Sequence, residues 1–178
     1  MPRAIYEFGL VSRLDAEAMG EPGKRTFRLL VDSPAGSAIL WLEKEQLLEL
    51  SLSIKRAVGM LEAELAQAPP PGSAPVISED SLGGEPVEFK VGKQAMEYDR
   101  EAQVFRFWSH DVEDGEDSDA KLAFDATSDQ VTRLSDDALS ICAAGRPICP
   151  LCHQPINPEG HFCSRSNGHP PDATDRLE

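Results

Sequence analysis

The 178-residue chain sets 17 Lys and Arg against 31 Asp and Glu, a formal charge of −14, which repels nucleic acid and anionic membrane surfaces over the whole body. Its best local cluster of cations, Lys24, Arg25 and Arg28, is small. No run of about 18 apolar residues is present to span a bilayer, and "MPRAIYEFGL" lacks the apolar stretch and small-residue cleavage site of a signal peptide, so a cytosolic protein with neither nucleic-acid nor membrane partners is expected.

The first third alternates as strands of an antiparallel sheet do when one face meets a core. "YEFGL" (Tyr6 to Leu10) and "RLDAEAMG" (Arg13 to Gly20) lead into the turn signal "EPGK". "RTFRLLVD" then places Phe27, Leu29 and Val31 on one face, and after "SPAGS" the stretch "AILWL" places Ile39 and Trp41 on one side. From Glu43 the period changes: Leu47, Leu50, Ile54, Val58, Leu61 and Leu65 recur at intervals of three and four, which predicts an amphipathic helix of about 24 residues. "AQAPPPGSAP" ends it, since prolines remove backbone donors and disfavour helical angles in the residue before them.

The second half replays the first. "EAMGEPGKRTFRLL" (Glu17 to Leu30) lies over "QAMEYDREAQVFRFW" (Gln94 to Trp108), and "AILWL" corresponds to "AKLAF" (Ala120 to Phe124). In the helices that follow, Gln46, Leu47 and Leu50 match Gln130, Val131 and Leu134. The second helix starts with Thr127 as N-cap and Gln130 three residues on, a capping-box pattern; Val131, Leu134, Ala138 and Ile141 share its apolar face, and Cys142 reads as a small buried hydrophobe. The expected fold is therefore α+β: a first strand-rich unit over 1–67, a Pro/Gly-rich linker over 68–85, a second similar unit over 86–145 packed with the first, and a zinc-knuckle tail over 146–178.

"HDVEDGEDSDA" has the carboxylates of a calcium loop without the EF-hand spacing and reads as a solvated hairpin loop. "CPLCHQPINPEGHFC" holds three of the four cysteines and two of the four histidines. Zinc takes four soft or borderline ligands as two closely spaced pairs. Cys149 and Cys152 supply C-x2-C, His161 and Cys163 supply H-x-C, and "QPINPEG" reverses the chain between them. His153 directly follows a ligand and is poorly placed; His169 competes with His161 for the fourth position. Pro147, Pro150 and Pro155 oppose the strand-to-helix setting of a redox C-x2-C. Three thiolates and an imidazole leave no open position for water, so the Zn2+ is expected to be structural, and its coordination, on the order of 10 kcal/mol, orders a tail with almost no apolar content.

"GEPGKRTFRLL", "LEKEQLLEL", "EFKVGKQAMEYD" and "AAGRPICPLCHQPINPEGHFCSRSNGH" together resemble a bacterial family of uncharacterised proteins, domain of unknown function 3090, over most of the chain from Tyr6 to His169. The resemblance implies no established activity. It implies the Cys, Cys, His, Cys pattern at Cys149, Cys152, His161 and Cys163, followed by Asn167 and Gly168. His153 replaces the glycine usual after such a knuckle, which predicts a wider turn.

The leading functional expectation is a non-catalytic binding or adaptor protein with a protein partner or a small anionic metabolite. The alternative is an enzyme or phosphate-type ligand binder whose site lies between the two units and uses Arg28, Arg106, His110 and Asp111, with the two arginines jointly holding an anion.

Overall fold

The computed structural model describes residues 3–21, 24–67, 84–115, 117–144, 149–154, 156, 160–163 and 165. The expected linker lies outside these residues except for Gly84 and Glu85, as do Gly145, most of the tail and His169. Strands β1 (Ala4–Leu10), β2 (Arg13–Met19), β3 (Thr26–Ser33) and β4 (Gly36–Leu42) precede helix α1 (Lys44–Leu65). Strands β5 (Val87–Asp99), β6 (Val104–Asp111) and β7 (Ala120–Ala126) precede helix α2 (Ser128–Ala143). The class is α+β, with one seven-stranded mixed sheet in the order β1-β7-β6-β5-β4-β3-β2.

The β2-β3-β4 and β5-β6-β7 meanders are antiparallel. They join edge to edge through a parallel β4–β5 ladder, and β1 adds to β7 in parallel. β1 and β2 stand at opposite ends of the sheet order yet are separated in the chain only by Val11 and Ser12. The sheet therefore curls until its two ends approach. Val11 N–H donates to Asp125 O at 2.8 Å on the β7 side, and Ser12 N–H donates to Asp32 O at 2.8 Å on the β3 side. β5 changes partner in the same manner: Val87 to Lys90 pair with β4, whereas Val91 to Asp99 pair with β6 across a register shift. Gly92 sits at that shift because a Cβ there would stand 2.9 Å from Val112 Cα.

One face of the sheet and both helices share a single apolar core. Phe27, Leu29 and Val31 enter it as their alternation predicts. On β4 the inward side is Ala38, Leu40 and Leu42, not Ile39 and Trp41. Five consecutive apolar residues, Ala38 to Leu42, put apolar side chains on both faces, and the packing of the sheet settles which turns inward. Trp41 lies on the outer face, where its Nε1–H donates to Glu88 Oε1 at 2.6 Å.

From α1 the core takes Leu47, Leu50, Ile54 and Val58; Leu65, expected on the same stripe, is exposed at 38%. From α2 it takes Val131, Leu134, Ala138 and Cys142, with Ile141 packed at the margin. Each helix has a glutamine at its third position that does two things. Gln46 Oε1 accepts from Glu43 N–H at 2.8 Å while its Nε2 donates to Val91 O at 2.9 Å. Gln130 Oε1 accepts from Thr127 N–H at 2.9 Å while its Nε2 donates to Val11 O at 2.9 Å. Both amides thus satisfy a carbonyl at a place where the sheet changes partner.

Candidate metal centre

The tail begins with a tight knuckle. His153 N–H donates to Cys149 O at 2.9 Å, and Cys149 N–H donates to Gln154 O at 2.9 Å. Closing this turn requires a left-handed residue after the second cysteine, and His153 takes it with φ +57°. The turn is not widened by the histidine; the backbone keeps a glycine-like conformation, and the side chain bears the steric cost. Arg165 Nη1 donates to Leu151 O at 3.3 Å and ties the later part of the tail to the knuckle.

This backbone brings four donor atoms together. One ligand atom from each of Cys149, Cys152, His161 and Cys163 lies within 4.8 Å of all the others, close enough to hold a metal ion. Cys149 Sγ stands 3.8 Å from Cys163 Sγ, and Cys152 Sγ stands 3.2 Å from His161 Nε2. Cys149 and Cys163 are buried, at 3% and 2% exposure. His161 faces the cluster through Nε2; its Nδ1 is buried with no hydrogen-bond partner among the described residues.

The electrostatics favour thiolates unevenly. The Cys152 backbone N–H, aided by that of Leu151 and by the Cys152 and Cys163 thiols, brings the Cys149 pKa down to about 6 against the cost of burial. For Cys152, the Gln154 backbone N–H pulls the pKa down. Burial and the neighbouring Cys149 and Cys163 sulfurs outweigh that pull, so the net shift is upward. Cys142 is remote from this cluster: it is 5% exposed on α2, with Sγ 4.0 Å from Lys44 O.

The residues of the alternative site are not brought together. Arg28 binds Glu17 Oε2 through Nε and Nη2 at 3.0 and 2.7 Å, with its guanidinium 5.6 Å from the Trp41 ring centroid. Arg106 makes a two-pronged pair with Asp125 at 2.7 and 2.8 Å. β4 and β5 separate the two arginines, three ladder spacings or about 14 Å across the sheet. Both guanidiniums are thus already engaged by carboxylates and too far apart to share one anion. His110 and Asp111 end β6 beside a cavity of about 510 Å³ that the acidic loop also lines. Asp111 Oδ2 is 3.3 Å from Lys121 Nζ.

Sequence reasoning missed the exposure of the side chains between the ligands, Leu151 at 49% and Phe162 at 82%. It also missed the cross-strand pair Gln94 and Ser109, 3.1 Å apart between amide and hydroxyl. A polar residue at an inward position of β5 was the signal available for the latter.

The family described as "Protein of unknown function (DUF3090)" matches residues 6–163, from the start of the sheet to the last of the four clustered donors. The chain belongs to the DUF3090 family. The matched residues include nearly all of the curled sheet, both helices and the Cys/His cluster. No curated protein and no solved structure matches the chain. Among the described residues, no helix is long and apolar enough to cross a membrane.

Proposed function

We propose that Cys149, Cys152, His161 and Cys163 bind one structural Zn2+, and that the chain is a non-catalytic binding or adaptor protein of a reducing compartment. The observation that supports this reading is the convergence of three sulfurs and one imidazole nitrogen within 4.8 Å of one another. Zinc–sulfur bonds of about 2.3 Å imply a tetrahedral sulfur–sulfur edge of about 3.8 Å, and Cys149 and Cys163 stand at 3.8 Å. A shell of four protein donors leaves no position for a metal-bound water, the usual nucleophile of catalytic zinc.

Two similar α+β units are part of the same proposal. Each comprises three antiparallel strands and a helix whose third residue is a glutamine bonded to a strand carbonyl. Support for an anion site shared by Arg28 and Arg106 is lacking, because each is neutralised on its own strand pair.

Elemental analysis of the purified protein tests the metal: one equivalent of zinc, lost on chelation and on Cys152→Ser, is expected. A preparation made in zinc-replete medium that carries no stoichiometric metal would overturn it. Hydrolytic or transfer turnover that rises and falls with zinc content would overturn the non-catalytic assignment.

A further inference from the structure

β4 pairs with β5 only from Val87 to Lys90, while β6 covers the other side of β5 from Val91 to Asp99. Past Lys90, therefore, one edge of β5 has no ladder partner among the described residues. After Leu42 the chain turns into α1, which runs beside this edge where β4 would have continued. Gln46 reaches Val91 at one end, and Glu64 Oε2 meets Arg100 Nη2 at 2.8 Å at the other. Between them lies a groove of about 440 Å³, with Glu49, Leu50 and Ser53 on the helix wall and Lys93, Gln94 and Met96 on the strand wall.

The second helix is seated differently. α2 lies directly on β2, over Leu14 and the small residues Ala16 and Ala18, whereas α1 barely approaches β5. Leu14 faces Val31 across the β2–β3 ladder, and both are fully buried. Gln94 faces Ser109 across the β5–β6 ladder as a hydrogen-bonded polar pair. An apolar pair lies under α2; a polar pair lies behind the groove beside α1.

An unpaired strand edge presents an N–H and a C=O at every second residue, and the partner with the same spacing of donors and acceptors is another extended main chain. Gly92, Lys93, Ala95 and Glu97 are exposed along this edge. Glu49, Glu97 and the charge of −14 disfavour an acidic partner. We infer that the groove between α1 and the β5 edge left without a ladder partner among the described residues binds an extended, neutral-to-basic peptide segment of a partner protein by adding it as a strand. This rests on the reading of the chain as a binding protein and assigns its surface.

Panning a random dodecapeptide phage library on the full-length, metal-loaded protein supplies the probe, and enriched peptides are synthesised and titrated. Peptides alternating apolar and polar residues, poor in Asp and Glu and with Kd on the order of micromolar, are expected. Ser53→Trp, which fills the groove, should weaken them at least tenfold, and Met60→Trp, on the exposed side of α1, should not. N-methylation of every second peptide amide should abolish binding in one register and spare it in the other, a readout that stands even if Ser53→Trp fails to fold. No enrichment, or binding indifferent to N-methylation, overturns the inference. A preparation with one zinc equivalent that enriches no peptide sinks the inference alone; one that binds peptide without metal sinks the zinc assignment alone.

Discussion

His153 occupies a left-handed position that glycine tolerates and other residues adopt at a cost of roughly 1–2 kcal/mol. His153→Gly should therefore relieve the knuckle, offset in part by the greater freedom of an unfolded glycine. The expected gain is about 1 kcal/mol or less in metal affinity, read by competition with a chromophoric chelator. The adjacent thiols predict a pH dependence. Cys152, shifted upward from 9.0, is protonated at neutral pH, whereas Cys149, at about 6, is already a thiolate. Metal ligation needs both as thiolates. Zinc binding at about pH 7 should thus release at least one proton, measurable by calorimetry in buffers of different ionisation enthalpy. Affinity should rise with pH, and should fall more steeply below about 6, where Cys149 also takes up a proton. The ligand spacing made this cluster legible in the sequence. The strained turn at His153 was not, because residue type gives a preference for φ while the hydrogen bond to Cys149 O imposes the value.

At the scale of elements, the two N-terminal glutamines connect helix starts to the sheet. Gln130 is 6% exposed and bonds Thr127 N–H and Val11 O. Gln130→Ala removes a cap and leaves a buried carbonyl without a donor, costing about 2 kcal/mol; a chemical denaturation midpoint reads it. Gln46→Ala should cost less, since the Gln46 bonds lie nearer solvent. Thr127 and Gln130 announced their helix through the capping box, and Leu47, Leu50, Ile54 and Val58 announced the other through their period. The inward side of β4 was not readable from "AILWL", where apolar residues occupy both faces. Nor was the opening beside β5: Gln94 marks a polar residue on the inward side, but only the β5–β6 register sets Ser109 opposite it.

Across the whole molecule, the sheet-and-helix core and the Cys/His cluster rest on different forces. The core is held by apolar burial from Phe8 to Cys142, the cluster by four donors converging within 4.8 Å. Chelation should leave the core folded and release the tail. Under native conditions a thiol reagent should then titrate Cys149, Cys152 and Cys163 but spare Cys142, which reacts only after denaturant is added. Reaction of Cys142 on chelation alone would mean that metal and core unfold together. The curl of the sheet was the least legible feature of all: only Val11 and Ser12 mark the passage from one end to the other, and nothing in those two residues names β7 and β3 as destinations.

That passage bears on how the protein is made. β1 leaves the ribosome well before its mate: the residues it pairs with, Ala120 for Ala4 and Leu122 for Tyr6, are synthesised about a hundred residues later. At about 5–20 residues per second, β1 waits roughly 5 to 20 s for β7 to emerge. During that interval β2, β3, β4 and α1 are complete and β1 is a nascent strand without a mate. The order of synthesis thus places the joining of β1 to β7 after the first meander and α1 are made, and a chain stalled before Ala120 carries β1 with its ladder unformed.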